Sequence, residues 1–426
     1  MHKSETPWIT NDYTRVPYSL FVDELVYKQE QERIFKGPLW IFVGLEAELP
    51  EIGDYKTTQV GETPIIINRA ADASLVAMVN RCSHRGALVR RESYGNATDH
   101  RCIYHRWCYS LKGDLTGIPF RRGVFGKGGL SEDFNVDNHG LERLRIESFR
   151  GMMFVTFSQE VEPLEEYLGD FHCRQIARIM CKPVRILGFQ RQIVRGNWKL
   201  YQENLRDTYH ASLLHSFFVT FGLDRVTNKG GTQLDDSKRH SFLYNRHNPV
   251  SEDSPAKAET LSSAAYIANG VQVERASLED RFILQYNNQY DDDLRVYIAC
   301  LFPNGHYQQM NNCLNTRQVI PRGPNEFEVV WTLFGYENDS PELDELRRYQ
   351  ANFIGPAGLV SMEDAEVIEN LQSTLSSAKG LYSVVEMGGK GPITTDNDNK
   401  VNEIPIRGFW SNYSQLMGIE PEGGER

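Results

Sequence analysis

Cys82-Ser83-His84 and Cys102-Ile103-Tyr104-His105 pack the most chemistry into the least space of this chain. Each stretch pairs a thiol with an imidazole, and 17 residues separate the two. Two thiolates and two imidazoles are the ligand set of a Rieske [2Fe–2S] centre, in which two His replace two Cys on one iron. The replacement leaves less negative charge on the cluster and raises its potential, so the pattern predicts a one-electron carrier. Structural zinc is the competing use of two Cys and two His, but it usually spaces them as CxxC and HxxxH. Here each loop mixes the two types, and so can offer one ligand to each of two irons. Gly86 follows the first pair, where a small residue lets a loop close tightly. Trp107 lies two residues past His105, where an indole can keep water off a cluster.

A second constellation is Asp207-x-x-His210-x-x-x-x-His215, inside NWKLYQENLRDTYHASLLHSFF (197–218). On a straight helix Asp207 and His210 would lie about 60° apart, and His210 and His215 about 140° apart. One ion can take both imidazoles only if the helix bends or ends between them. Two His and one carboxylate with open positions opposite make the facial triad of non-haem Fe(II) oxygenases. The carboxylate could be Asp207, or a distant one such as Asp364 or its neighbour Glu363 in GPAGLVSMEDAEVIENLQ (355–372). That acid pair has a plainer use. Ser361-x-x-Asp364 resembles a capping box at a helix start, where a carboxylate satisfies free N–H groups.

The elements that must position these residues fall into two blocks. A helix is expected over Val22–Phe35, with Asp23 near its start and Gly37-Pro38 beyond its end. Short β-type runs follow (Ile65–Asn68, Leu75–Val79, Tyr109–Leu111, Met152–Phe157), broken by turns such as Lys112-Gly113-Asp114. A small β domain with ligands on two loops fits them. Strands are then expected at Val184–Val194, Leu294–Leu301, Leu314–Ile320 and Phe327–Phe334, a helix opening near Asn197, and helices over Pro341–Phe353 and Ser361–Ser377. Strands and helices in separate blocks predict α+β rather than a doubly wound sheet. Residues 230–255 and 256–281 are polar and weakly periodic, as expected of mobile or lid-like segments. The division expected is an N-terminal helical segment (1–39) packing on the catalytic domain, a cluster domain (40–160) and a catalytic domain (161–426).

At 426 residues, with 40% hydrophobic and 24% charged residues, the chain has ordinary soluble composition and room for two cores. A net charge of −11 argues against a nucleic-acid partner. No apolar run approaches a membrane span, and MHKSETPW has no signal-peptide core. Cys108, Cys173, Cys181, Cys300 and Cys313 have no framework spacing and read as free thiols, as expected of a cytoplasmic protein.

Over nearly its full length the chain resembles the large (α) subunits of Rieske non-haem iron aromatic-ring-hydroxylating oxygenases. The carriers are Cys82, His84, Cys102 and His105, and the segment NLRDTYHASLLH with Asn204, Asp207, His210 and His215. The resemblance implies that Asp364 is the third iron ligand and that Asp207 is not a ligand. It implies instead that Asp207 bridges, by hydrogen bonds, a cluster His of the adjacent subunit to an iron-ligating His. It further implies that cluster and iron of one chain are too distant for efficient transfer, so three α subunits form a ring, with a small β subunit favoured (α3β3). The implied fold joins a small all-β Rieske domain to a catalytic domain with a curved antiparallel sheet surrounded by helices. The likeness is strongest to salicylate hydroxylases, anthranilate dioxygenases and terephthalate dioxygenases. It is carried by WIFVGLEAELPEIGDYKTT, GDLTGIPFRRGV, NWKLYQENLRDTYHASLLHSFFVTFGL and IRGFWSNYSQLMG. Such acids need a cation, and Arg suits bidentate carboxylate binding. Arg317 and Arg407 match arginines that contact the carboxylates in terephthalate dioxygenases.

The implied reaction uses O2 and electrons from NAD(P)H, supplied by a separate reductase with or without a ferredoxin, and gives a cis-dihydrodiol or a phenol. Gly126-Lys127-Gly128-Gly129-Leu130-Ser131 lacks the last glycine of GxGxxG, so no nicotinamide site is expected here. The competing reading is a Rieske-type electron carrier with a non-catalytic binding domain. Length opposes it, since a carrier needs only the first domain.

Overall fold

The computed structural model describes residues 10–221, 223–225, 227–246, 263–271 and 276–419. The chain divides into two compact units, Gln31–Tyr167 and Leu168–Arg426, the latter joined by the N-terminal stretch ending at Glu30. Residues 31–39, expected with the N-terminal segment, thus fall in the first unit, where the Gln31 side chain accepts from Glu62 N at 2.9 Å.

In the first unit, Ile65, Ile66 and Ile67 are buried in a row. β-Branched residues buried on both faces make a central strand. Thr63–Arg69 accordingly lies between Leu75–Val79 and Asp54–Val60 in a seven-stranded antiparallel sheet. The turn Gly61-Glu62 joins two of its strands. Gly61 has φ +55°, and a Cβ there would lie 2.1 Å from Gln31 Oε1, so only glycine fits. A three-stranded sheet (His100–Arg101, Cys108–Tyr109, Leu115–Gly117) carries the second Cys-His loop. Cys82, Cys102, Trp107 and Tyr109 share one core with Ile66 and Met78.

The second unit is built on an eight-stranded antiparallel sheet, curved as a half-barrel with helices packed on it. Its strands, in spatial order, are Val184–Val194, Phe327–Tyr336, Cys313–Pro321, Gly305–Met310, Leu294–Leu301, Ser241–Arg246, Gly230–Leu234 and Asp396–Asn397. The α+β class expected from the sequence is the one observed. Two strands lie where a lid-like segment was expected: Gly230–Leu234 and Ser241–Arg246 pair directly. Residues 247–262 and 272–275 of that expectation lie outside the described residues. The helices are Trp198–Asn204, Pro341–Ile354, Leu359–Leu375 and Ile404–Met417. Asn197 caps the first through Lys199 N (3.1 Å), and Ser340 caps the second through Leu343 N (3.3 Å). The helix expected over Val22–Phe35 is α-helical at Glu24–Glu30 and then a single π turn. Its Glu30 is fully buried, taking Lys199 Nζ at 2.6 Å, Trp198 Nε1 at 2.8 Å and the Tyr413 hydroxyl. A carboxylate so deep is tolerable only with its charge and lone pairs met. Among the described residues no helix is long and apolar enough to cross a membrane.

Candidate active site

Two loops of the first unit close in the same way. Cys82 N donates to Ala87 O and Gly86 N to Cys82 O; Cys102 N donates to Trp107 O and Arg106 N to Cys102 O. The fifth residue of each loop has positive φ, Gly86 in one and Arg106 in the other. Only the histidine differs, third in one loop and fourth in the other. The thiols are inside, 3% and 2% exposed, while His84 and His105 face solvent with ring centroids 4.6 Å apart. Trp107 stacks on His84 at 4.7 Å. Burial pushes the Cys82 thiol up, a hydrogen bond with Tyr109 (3.1 Å between Sγ and the hydroxyl) works the other way, and Cys102 beside it raises it further. The Cys82 thiol so placed ionises readily only against metal charge, and burial and His105 lower His84 toward the neutral form a ligand needs. The four residues fit a cluster with thiolates inward and imidazoles outward.

In the second unit the helix Trp198–Asn204 ends and Asp207 organises the turn beyond it, its Oδ1 accepting from Tyr209 N (2.7 Å) and His210 N (3.2 Å). One short helical turn, Ala211–Leu214, follows, and His215 leaves the helix at φ −84°, ψ 78°. That break meets the geometric requirement read from the five-residue spacing. Asp364 comes from the helix Leu359–Leu375. Its Oδ1 lies 3.4 Å from His210 Nε2 and 3.3 Å from His215 Nε2, and the three ligand atoms fall within 4.8 Å of one another. The helix begins at Leu359 behind Gly358, so Ser361 and Asp364 lie inside it and form no cap; Ser361 donates to Gln192 at 2.8 Å.

The outer nitrogens both face carboxylates, and that of His215 is hydrogen-bonded to one. His215 Nδ1 is 2.8 Å from Glu363 Oε2, and His210 Nδ1 is 3.2 Å from Asp207 Oδ2. Glu363 therefore backs one imidazole while Asp364 faces both. Carboxylates behind the rings set the tautomer that leaves each Nε2 free for a metal. Burial alone would lower His210, yet the Asp207 and Asp364 carboxylates push it up to about 10. The same imidazoles hold Asp364 well below the carboxylate range despite its burial. A group that demands positive charge between two imidazoles and a buried carboxylate suits a divalent cation. Asn204 donates to Asp364 Oδ1 at 3.0 Å.

The triad opens into a cavity of about 760 Å³, measured out to its mouth, with Phe218, Val296, Ile298, Met310, Ile354 and Val360 among its walls. Arg317 lines it, 4% exposed, its guanidinium 3.8 Å from the Trp331 ring centre and bonded to Tyr201 (3.1 Å), Gln308 and Asn315 (3.4 Å). All these partners are neutral. Arg407 is elsewhere: it donates to the carbonyls of Asp12 (2.9 Å), Gly389 (2.8 Å) and Gly391 and does not line the cavity. Arg407, expected to bind substrate, is placed by the structure away from this cavity, fastening backbone carbonyls. Asp224, Asn245 and Lys400 do line the cavity. Sequence reading missed them because no spacing links residues that only the sheet brings together.

A model of the ring hydroxylating alpha subunit (catalytic domain) matches residues 166–418, and one of the Rieske [2Fe–2S] domain matches 39–127. The chain belongs to the ring-hydroxylating oxygenase α subunits. It is 45% identical over 411 residues to the anthranilate 1,2-dioxygenase large subunit of Burkholderia cepacia, covering 96% of this chain and 94% of that one. It is 40% identical to the α2 subunit of the terminal oxygenase component of terephthalate 1,2-dioxygenase from Comamonas sp, over 99% of both. The fold matches naphthalene 1,2-dioxygenase from Rhodococcus sp. bound to indole, with TM-score 0.75 at 22% identity over 95% and 94% of the chains. This oxygenase α subunit accordingly carries a Rieske [2Fe–2S] cluster and a mononuclear iron. The electron-carrier alternative is not favoured, because these relatives are oxygenase subunits and the two histidines meet a buried carboxylate at a cavity.

Proposed function

We propose that this α subunit hydroxylates the ring of an aromatic carboxylic acid of the anthranilate, salicylate or terephthalate kind. Cys82, His84, Cys102 and His105 hold the cluster, and His210, His215 and Asp364 the iron. The observation that carries the substrate reading is Arg317, a buried cation in the cavity wall with no carboxylate partner among the described residues. A guanidinium flat against Trp331 presents its fork to a carboxylate, and the apolar walls take the ring. Iron, when bound, supplies O2 activation. The protein holds the acid by Arg317, fixes both imidazoles through Asp207 and Glu363, and keeps water from the ring with Phe218, Val360 and Ile354.

Electrons come from NAD(P)H through a separate reductase, with or without a ferredoxin. Asp207 is read as the link from the cluster of a neighbouring subunit, in an α3β3 assembly with a small β subunit. Exposed Leu88, Ile103 and Tyr104 beside the cluster ligands support burial of that face by another chain. Seven cysteines with no disulfide among the described residues support a cytoplasmic setting. Arg317→Leu tests the substrate reading. It raises KM for the preferred acid by about tenfold or more, the value of a charge-assisted hydrogen bond, measured as substrate-dependent O2 uptake with reductase present. Unchanged KM overturns it.

A further inference from the structure

The cavity has a second polar corner, built differently from Arg317. Asn245, on the strand Ser241–Arg246, donates from Nδ2 to Asp224 Oδ1 at 2.7 Å, and Lys400 Nζ pairs with the same oxygen. The ammonium and the carboxylate cancel, so this corner offers no net charge. What it has left is acceptors. Asn245 is 4% exposed and its Oδ1 is buried without a hydrogen-bond partner. The bond to Asp224 fixes which way the amide points, since a flipped amide would set two oxygens together. Both bonds to Asp224 use Oδ1, which leaves Oδ2 without a partner among the described residues. A buried acceptor such as Asn245 Oδ1 is rarely left unmet in a finished complex.

We propose that Asp224 and Asn245 form a subsite for a hydrogen-bond-donating ring substituent, an amino or hydroxyl group, and that the cavity prefers an aromatic monocarboxylate carrying one to a dicarboxylate. The proposal rests on the aromatic-acid reading of Arg317. Asn245 and Arg317 stand on strands three places apart, roughly 14 Å across the sheet, and Arg317 lies four residues further along in register, so both side chains must reach inward over the curved sheet to meet one ring. Val296, Ile298 and Met310 belong to the two strands between, and line the cavity as an apolar floor for the ring. An amino group has two N–H bonds for two acceptors. A second carboxylate would bring two more acceptors against Asp224 and Asn245, and could be met only by taking Lys400 from Asp224.

The test is kcat/KM of the oxygenase, with its electron-donor components, for benzoate, the three aminobenzoates, the three hydroxybenzoates and terephthalate. One amino- or hydroxybenzoate should exceed both benzoate and terephthalate by about tenfold or more, the scale of one hydrogen bond to a charged partner. Asp224→Asn and Asn245→Leu, with cluster absorbance matching wild type as the check on folding, should each shrink the substituted-to-benzoate ratio at least several-fold. Preference for terephthalate, or an unchanged ratio in both variants, overturns the subsite and leaves the aromatic-acid reading standing. If no acid in the panel is turned over, or Arg317→Leu alters none of them, the aromatic-acid reading fails and the subsite with it.

Discussion

Glu363 and Asp364 are chemically alike and adjacent, yet the helix turns them about 100° apart. Asp364 meets both Nε2 atoms, and Glu363 reaches behind His215 to Nδ1. The sequence could not separate them, because either acid in SMED would satisfy a two-His-one-carboxylate pattern. Asp364→Ala should lose the mononuclear iron and turnover while the cluster absorbance stays. Glu363→Gln should keep the iron with affinity weakened about 10–100-fold, as for a partner behind a ligand. Metal analysis after dialysis against graded chelator separates the two; equal losses would make Glu363 a ligand as well.

The helix Trp198–Asn204 holds a different buried carboxylate at each of its two ends. Trp198 and Lys199 hold Glu30, while Asn204 holds Asp364 and Glu203 accepts from Trp410 Nε1 at 2.6 Å. Burial, partly offset by the Trp410 N–H and reinforced by Glu403 and Asp207, pushes Glu203 up to about 8. A carboxyl raised above its unfolded value near 4.5 stabilises the fold when protonated, and that stability is lost as pH rises from about 4.5 to about 8. Glu203→Gln should therefore flatten the fall of Tm across this window, measured by thermal unfolding at stepped pH. A parallel fall in wild type and variant would clear Glu203. Elements were legible where apolar runs were long: Val184–Val194, Leu294–Leu301 and Leu75–Val79 form with the bounds the sequence suggests. Gly305–Met310 was not, because GHYQQM is polar and yet wholly buried, with His306 meeting Gln202 (3.3 Å), Tyr307 meeting His172 (3.0 Å) and Gln308 meeting Arg317. The Cys-His and His-His spacings could be read because they are local, whereas the acid pair at 363–364 lies far along the chain and its choice came from the resemblance. Arg407 misled because an arginine amid aromatics reads alike whether it faces substrate or backbone carbonyls.

At the scale of the whole molecule the two redox centres belong to different compact units. Asp207 is the residue on which the proposed coupling turns: it orders the backbone at His210 and faces that imidazole, and the bridge reading gives it a cluster histidine of a second copy. Asp207→Asn keeps the shape and removes the charge. Cluster content should be full and iron largely retained, while oxidation of the reduced cluster on adding substrate and O2 should nearly vanish in a stopped-flow single turnover. Rapid oxidation would refute the bridge, and loss of iron would make Asp207 a ligand.

The proposed grip of Arg317 on a carboxylate has a consequence for what happens after the ring has reacted. A carboxylate remote from the attacked carbons is grasped alike before, during and after reaction, so the grip lowers KM without raising kcat. A product that keeps its carboxylate keeps the same handle, and leaves only by breaking the bond that brought its parent in. Such a product competes with fresh substrate and throttles the enzyme as it accumulates. A reaction that expels the carboxylate lets go by its own chemistry.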